Sequence, residues 1–151
     1  MNQGSPISQL PPLRKSVSVR WSPQAAFRRF TDEIATWWPR RTHSVGGEAA
    51  ENVVFEPRVG GRIYEVMRGG RTAIWGTVLE YEAPRRLAFS WHPGREPDTA
   101  QRVEVSFTAS GEGTLVELVH TGWEKLGEEA RKMRETYDGG WTFVLGRFGK
   151  E

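Results

Sequence analysis

The chain has 151 residues and no cysteine, so it is long enough for a single domain with a buried core, while disulfides and thiolate chemistry are excluded. Lys and Arg number 21 against 19 Asp and Glu, and the arginine pairs fall in different predicted elements, so we expect no nucleic-acid partner. No segment reaches the run of about 18 apolar residues that a membrane helix needs, and the N-terminus lacks the apolar run of a signal peptide, so we expect a cytoplasmic protein with no membrane partner.

The N-terminal third predicts a tail, a strand and two short helices. Residues 1–13 are polar and punctuated by proline, which is typical of a flexible tail, and a single domain is expected at 14–151. Alternation over Arg14–Trp21 predicts a half-buried strand. A helix follows, since Ser22 is a good N-cap before a proline. The helical run is expected to end at Trp37-Trp38-Pro39, because the residue before a proline is disfavoured in a helix.

Beyond a loop at 40–51, strand signals follow one another with short, turn-rich connections. The predicted strands are Asn52–Glu56, Arg62–Met67, Thr72–Tyr81, Arg86–His92, Arg102–Ala109 and Thr114–His120. Hairpin-length connections between consecutive strands predict an antiparallel meander. The strand from Arg102 alternates most cleanly, so one face of this sheet is expected to meet solvent.

The segment from about Gly122 to Phe148 predicts a long helix that covers the apolar face of the sheet. Its apolar residues recur three or four apart, at Leu126, Ala130, Met133, Tyr137, Trp141, Val144 and Phe148. This stripe continues through Asp138-Gly139-Gly140, a sequence that usually ends a helix, and we predict that the helix continues as well. Gly140 lies on the stripe itself, where it either allows close packing against the sheet or leaves a notch that a ligand can fill.

Seven sequence pieces in this order carry a resemblance to a known family. The pieces are FTDEIATWWP (30–39), HSV (43–45), VFEPRVGGRIYE (54–65), WGTVLEYEAPRRLAFSW (75–91), VEVSF (103–107), GTLVELVHTGW (113–123) and YDGGWTFVL (137–145). Together they resemble the START and Bet v 1-like superfamily (SRPBCC), in particular the bacterial branch related to the C-terminal domain of the Hsp90 ATPase activator. The resemblance implies an α+β helix-grip fold, in which a curved antiparallel sheet of about seven strands grips the long C-terminal helix.

The aromatic residues are the strongest site signal, because the implied fold makes them converge between helix and sheet, either as a solid core or as cavity walls. The residues expected to line a cavity are Trp37, Trp38, Phe55, Tyr64, Trp75, Trp91, His120, Tyr137, Gly140 and Trp141. The three histidines show no metal-ligand spacing, and no nucleophile or phosphate-binding motif is present. We therefore expect no catalytic residue, no metal and no cofactor.

Three functions stay open at this point. The resemblance favours binding of a small hydrophobic or amphipathic molecule in the cavity. A cavity enzyme of cyclase or hydrolase type would need a buried acid–base pair such as Glu65 with His120. A chaperone-interaction domain is the third, although the additional N-terminal domain that accompanies this activity in the eukaryotic co-chaperone is not expected in this chain. A monomer or a homodimer is expected, since an apolar edge strand can pair two copies.

Overall fold

The structure is a computed structural model and describes residues 10–150. Its elements are β1 (Leu13–Val19), α1 (Pro23–Phe30), α2 (Ile34–Trp37), β2 (Ala50–Phe55), β3 (Arg62–Met67), β4 (Thr72–Glu82), β5 (Arg86–Trp91), β6 (Gln101–Ser110), β7 (Gly113–Thr121) and α3 (Ala130–Phe148). The flexible tail predicted at residues 1–13 falls mostly outside the described residues. Of the predicted tail residues that are described, Leu13 is buried at the start of β1.

The strands form one curled, seven-stranded antiparallel sheet in the order β1-β7-β6-β5-β4-β3-β2. Strands β2 to β7 are neighbours in chain order, which confirms the predicted meander, and β1 adds to the far edge by pairing with β7. In β6 the side chains of Val103, Val105 and Phe107 are buried while their neighbours are more exposed, so the predicted alternation is also confirmed.

The two short helices after β1 pack onto the inner face of this sheet. The Ser22 hydroxyl accepts a hydrogen bond from the Ala25 amide at 3.2 Å, which is the predicted N-cap of α1. Phe27 and Phe30 of α1 are buried. α2 ends at Trp37, and the next residue takes extended backbone before its proline, as predicted.

The helix α3 begins at Ala130, so the prediction that it starts near Gly122 is wrong. Residues 123–129 form 3₁₀ turns instead. Gly122 and Gly127 take positive φ angles of 86° and 58°, which a right-handed helix does not contain. The second part of the prediction is confirmed, since α3 runs without a break through Asp138-Gly139-Gly140 to Phe148.

Candidate ligand cavity

A cavity of about 380 Å³ lies between the middle of α3 and two loops, one after α2 and one after β5. Its lining residues are Trp38, His43, Ser44, Val45, Trp91, Pro93, Gly94, Tyr137, Gly140, Trp141 and Val144. Most of these side chains are aromatic or aliphatic, and the volume lies within the roughly 300–1,000 Å³ of small-molecule sites. We call residues 43–46 the loop wall and residues 137–144 of α3 the helix wall.

The sequence-predicted residues divide into those that line this cavity and those that do not. Trp38, Trp91, Tyr137, Gly140 and Trp141 line it together, although they come from the end of α2, from β5 and from α3. The rings of Trp91 and Trp141 lie 5.3 Å apart between centroids, and Trp38 meets Trp141 edge-on at 6.1 Å. The aromatic convergence therefore produces cavity walls at this end of the fold.

Trp37 and Phe55 lie in the packed core rather than in the cavity. The Trp37 indole donates to the Arg29 carbonyl at 2.7 Å, and its ring packs against Phe148. Phe55 packs edge-on against Phe89. These rings help to fill the solid part of the interior.

Tyr64, Trp75 and His120 also lie outside the lining. The residues on both sides of Tyr64 are buried, so the alternation of β3 directs Tyr64 to the opposite face of the sheet. The Trp75 ring lies behind the cavity, packed against Trp38 and Trp91. His120 is completely buried beneath Trp123 and Trp141.

Six of the lining residues are not among those predicted from the sequence, namely His43, Ser44, Val45, Pro93, Gly94 and Val144. The signals for some of them were present, because HSV at 43–45 was one of the family-like pieces and Val144 belongs to the apolar stripe. The pair Pro93-Gly94 predicts only a turn. The neighbouring sequence does not indicate which part of the folded protein that turn will border.

Gly140 occupies a notch. A β-carbon added to Gly140 would meet no atom within 4 Å, apart from its own neighbours in the chain and helix. At Gly76 of β4, in contrast, an added β-carbon would lie 1.7 Å from the Ser90 carbonyl oxygen. Of the two alternatives for Gly140, the structure therefore shows open space and not close packing.

A buried acceptor, Glu65, holds the loop wall in place. Its Oε1 accepts from the Val45 amide at 2.7 Å and from the Trp75 indole at 2.6 Å, and its Oε2 accepts from the Gly46 amide at 2.7 Å. Three N–H donors thus satisfy a side chain that is completely buried. Two residues before Val45, the His43 carbonyl accepts a hydrogen bond from the Trp38 indole at 2.7 Å. The wall is thus fixed through its backbone, and the Ser44 hydroxyl adds hydrogen bonds within the loop to the Arg40 carbonyl and the Gly47 amide.

A buried imidazole, His120, fastens the helix wall. The Trp141 indole, which can only donate, gives a hydrogen bond to Nδ1 at 2.9 Å, so Nε2 carries the proton and donates to Gln101 Oε1 at 3.1 Å. Burial, with a smaller contribution from the charge of Arg134, lowers the pKa of His120 to about 3. The imidazole is therefore neutral and serves as a fixed anchor for Trp141.

These two networks separate Glu65 from His120. Each side chain is bonded within its own network, and neither lines the cavity. The arrangement gives no support to the acid–base pair considered for a cavity enzyme. Among residues 10–150, no group of three or more His, Asp or Glu side chains has the geometry to hold a metal ion. In the same part of the chain no helix is long and apolar enough to cross a membrane.

The polar groups that do border the cavity are His43, Ser44 and Tyr137. Burial raises the pKa of the Tyr137 hydroxyl, and the nearby Trp91 indole and Arg95 charge only partly offset this. Burial lowers the pKa of His43. Both groups are therefore neutral near pH 7 and can take part in hydrogen bonds without carrying charge.

The fold is that of the helix-grip proteins, with a long helix held across a curled antiparallel sheet. Residues 20–150 match the model of the family described as "Activator of Hsp90 ATPase homolog 1-like protein". The chain belongs to this family, which confirms the resemblance found in the sequence.

Solved structures agree with this assignment. Txn09, described as an anthrahydroquino-gamma-pyrone synthase complexed with SUM, is 37% identical, with 87% of this chain and 89% of that chain covered and a TM-score of 0.60. CalU16 from Micromonospora echinospora is 25% identical, with coverage of 91% and 72% and a TM-score of 0.57. The Aha1 dimer from Colwellia psychrerythraea shares the fold at 13% identity, with coverage of 93% and 94% and a TM-score of 0.68. A comparison with functionally curated proteins finds no match.

Proposed function

We propose that this protein binds a planar, largely apolar molecule in the cavity between the helix wall and the loop wall. The observation that carries the proposal is the unfilled notch at Gly140, beside the rings of Trp38, Trp91 and Trp141. A small domain that buries so many aromatic rings normally packs them without gaps. Clefts of equal or larger volume occur elsewhere among residues 10–150, but they are lined by several charged side chains, whereas this one is mostly aromatic and aliphatic, which favours a ligand site.

The wall chemistry favours a flat aromatic ligand over a flexible aliphatic one. Indole rings offer broad faces and edges for stacked or edge-on contacts, and such contacts stabilise a complex beyond simple burial of area. The relative Txn09, which is described as a synthase of a polycyclic aromatic product, supports the same ligand class. Anthraquinone, a planar three-ring ketone, is a suitable first probe.

Binding can be measured through quenching of tryptophan fluorescence, since three tryptophans border the cavity. Gly140→Leu places a side chain in the notch and is expected to weaken anthraquinone binding by at least about tenfold. Gly139→Leu is the matched control: Gly139 is exposed on the same helix and does not line the cavity. Equal affinities for the two variants would contradict a ligand site at the notch.

A second candidate is an enzyme that closes a ring in such a molecule, and the 37% identity to the synthase Txn09 favours it. The groups available for proton transfer are His43 and Tyr137, which border the cavity, and not Glu65 and His120. Native mass spectrometry of the purified protein would identify a retained molecule. Returning that molecule to fresh protein tests the candidate, because catalysis would produce a species with a new chromatographic retention time and mere binding would not.

Chaperone interaction stays a hypothesis supported only by the family description. The oligomeric state also stays a prediction. The strands β1 and β2 are the two edges of the sheet, and either can pair with a second copy. Sedimentation at two protein concentrations distinguishes a monomer from a homodimer.

A further inference from the structure

The hydroxyl of Tyr137 is a hydrogen-bond donor without a protein acceptor. It borders the cavity and, among residues 10–150, no hydrogen bond has its O–H as the donor, while the Trp91 indole acts on its oxygen. Behind it lies this buried indole N–H of Trp91, which has no other partner within residues 10–150. An indole N–H can only donate, so the Tyr137 oxygen can serve as its acceptor while the Tyr137 O–H points to another group. A ligand group that accepts the hydrogen bond from the Tyr137 O–H must therefore offer an acceptor oxygen.

On the loop wall, His43 offers the opposite chemistry. Its ring stacks on Phe143 at 4.9 Å, and Nδ1 lies 2.7 Å from the Thr42 hydroxyl. The Thr42 hydroxyl also contacts the Pro39 carbonyl oxygen at 3.4 Å, and a carbonyl can only accept. In the tautomer with the proton on Nδ1, the hydroxyl donates to Pro39 and accepts from Nδ1–H, and Nε2 of the neutral ring keeps a free lone pair. The contact proposed for His43 requires this tautomer.

From these two groups we propose that the cavity recognises a hydroxylated aromatic ketone. The Tyr137 hydroxyl donates to the ketone oxygen, and His43 Nε2 accepts the proton of a ring hydroxyl. The inference rests on the proposed function, because it assigns polar contacts to the same planar ligand. The polar contacts would distinguish between ligands of equal shape, which the apolar walls alone do not.

Three probes of similar size separate the two contacts: 2-hydroxyanthraquinone has both features, 2-methoxyanthraquinone lacks the hydroxyl proton, and 2-methoxyanthracene also lacks the ketones. For the wild-type protein we expect affinity to fall by about three- to tenfold at each step, which is the size of one net hydrogen bond. Equal binding of all three probes would overturn the inference and leave the proposed function intact. Failure of all three to bind would overturn the proposed function together with the inference.

Two variants assign the contacts to residues. His43→Phe keeps a ring to stack on Phe143, and we expect it to abolish the preference for the hydroxyl over the methoxy compound while the ketone preference stays. Tyr137→Phe should abolish the ketone preference and keep the hydroxyl preference. Tyr81→Phe, on β4 against Phe27 and outside the lining, is the matched control and should keep both preferences. A preference that survives the removal of its assigned group would overturn that assignment.

Discussion

The loop wall and the helix wall of the cavity are both anchored by completely buried polar side chains, but the anchors differ in kind. Glu65 only accepts, and it takes three N–H donors from the loop backbone and from Trp75. His120 is neutral, accepts from Trp141 and donates to Gln101. The first anchor holds backbone and the second holds a side chain. The loop wall is held by Glu65 and by the Trp38 indole at the His43 carbonyl, whereas the helix wall also has the regular hydrogen bonds of α3.

This difference shows how buried polar residues can be important without being catalytic. Both side chains have their hydrogen bonds filled by protein groups, so neither is free for a substrate. Their contribution is to position the residues that border the cavity. The comparison also predicts that the two walls respond differently to mutation and to pH.

At neutral pH, the largest expected effect is on the loop wall. Glu65→Gln replaces one acceptor oxygen with an NH₂ group that faces an N–H donor, and it removes charge-assisted hydrogen bonds. We expect the free energy of unfolding to fall by on the order of 3 kcal/mol, measured by urea denaturation. In hydrogen exchange, the Val45 and Gly46 amides should lose protection while α3 keeps it. Glu117→Gln, at an exposed position of β7, is the control and should change little.

A loss below about 1 kcal/mol, or equal loss of protection in α3, would contradict the assignment of Glu65 to the loop wall.

The helix wall should respond to acid. The pKa of His120 is about 3 in the folded protein and about 6.5 in an unfolded chain, so the unfolded state binds a proton that the folded state does not. The stability present above pH 6.5 is therefore lost as the pH falls toward 3, by up to about 1.4 kcal/mol per pH unit. Urea denaturation at pH 6, 5 and 4 measures this slope.

His120→Gln removes the titrating group and keeps an amide that can hydrogen-bond. The free energy of unfolding of this variant should depend less steeply on pH than that of the wild-type protein. The difference corresponds to about one bound proton, since the carboxylates titrate in both proteins. Identical slopes would show that His120 is protonated in the folded state.

The smallest expected effects are those of single alanines, which should have opposite signs on the two walls. Gly140→Ala meets no atom within 4 Å and should stabilise α3 by about 1 kcal/mol, as should Gly139→Ala. In Gly46→Ala the added β-carbon would lie 2.9 Å from Met67 Cγ and 3.1 Å from Glu65 Oε2. We expect this variant to be destabilised by about 1 kcal/mol. Thermal unfolding measures all three, and a stabilised Gly46→Ala variant would contradict a tightly held loop wall.

Much of the fold follows from local features of the sequence. Period-two alternation and short turns predicted the meander, and the Ser22-Pro23 pair predicted the start of α1. The same kind of evidence failed at the start of α3. The apolar spacing from Leu126 to Ala130 fits a helix, but the positive φ of Gly127 is incompatible with one. Spacing gives the direction of side chains only where the backbone is already regular.

The sequence by itself determined the fold, the continuity of α3 through its two glycines and the aromatic richness of the interior, because these depend on periodicity, turns and composition. Tertiary structure decided which rings became cavity walls. Trp37 and Trp38 are adjacent in the chain, yet one packs against Phe148 and the other borders the cavity. The loop wall is placed by Glu65, about 20 residues further along the chain. Such contacts depend on strand register and on the packing of distant elements, which no local window of sequence contains.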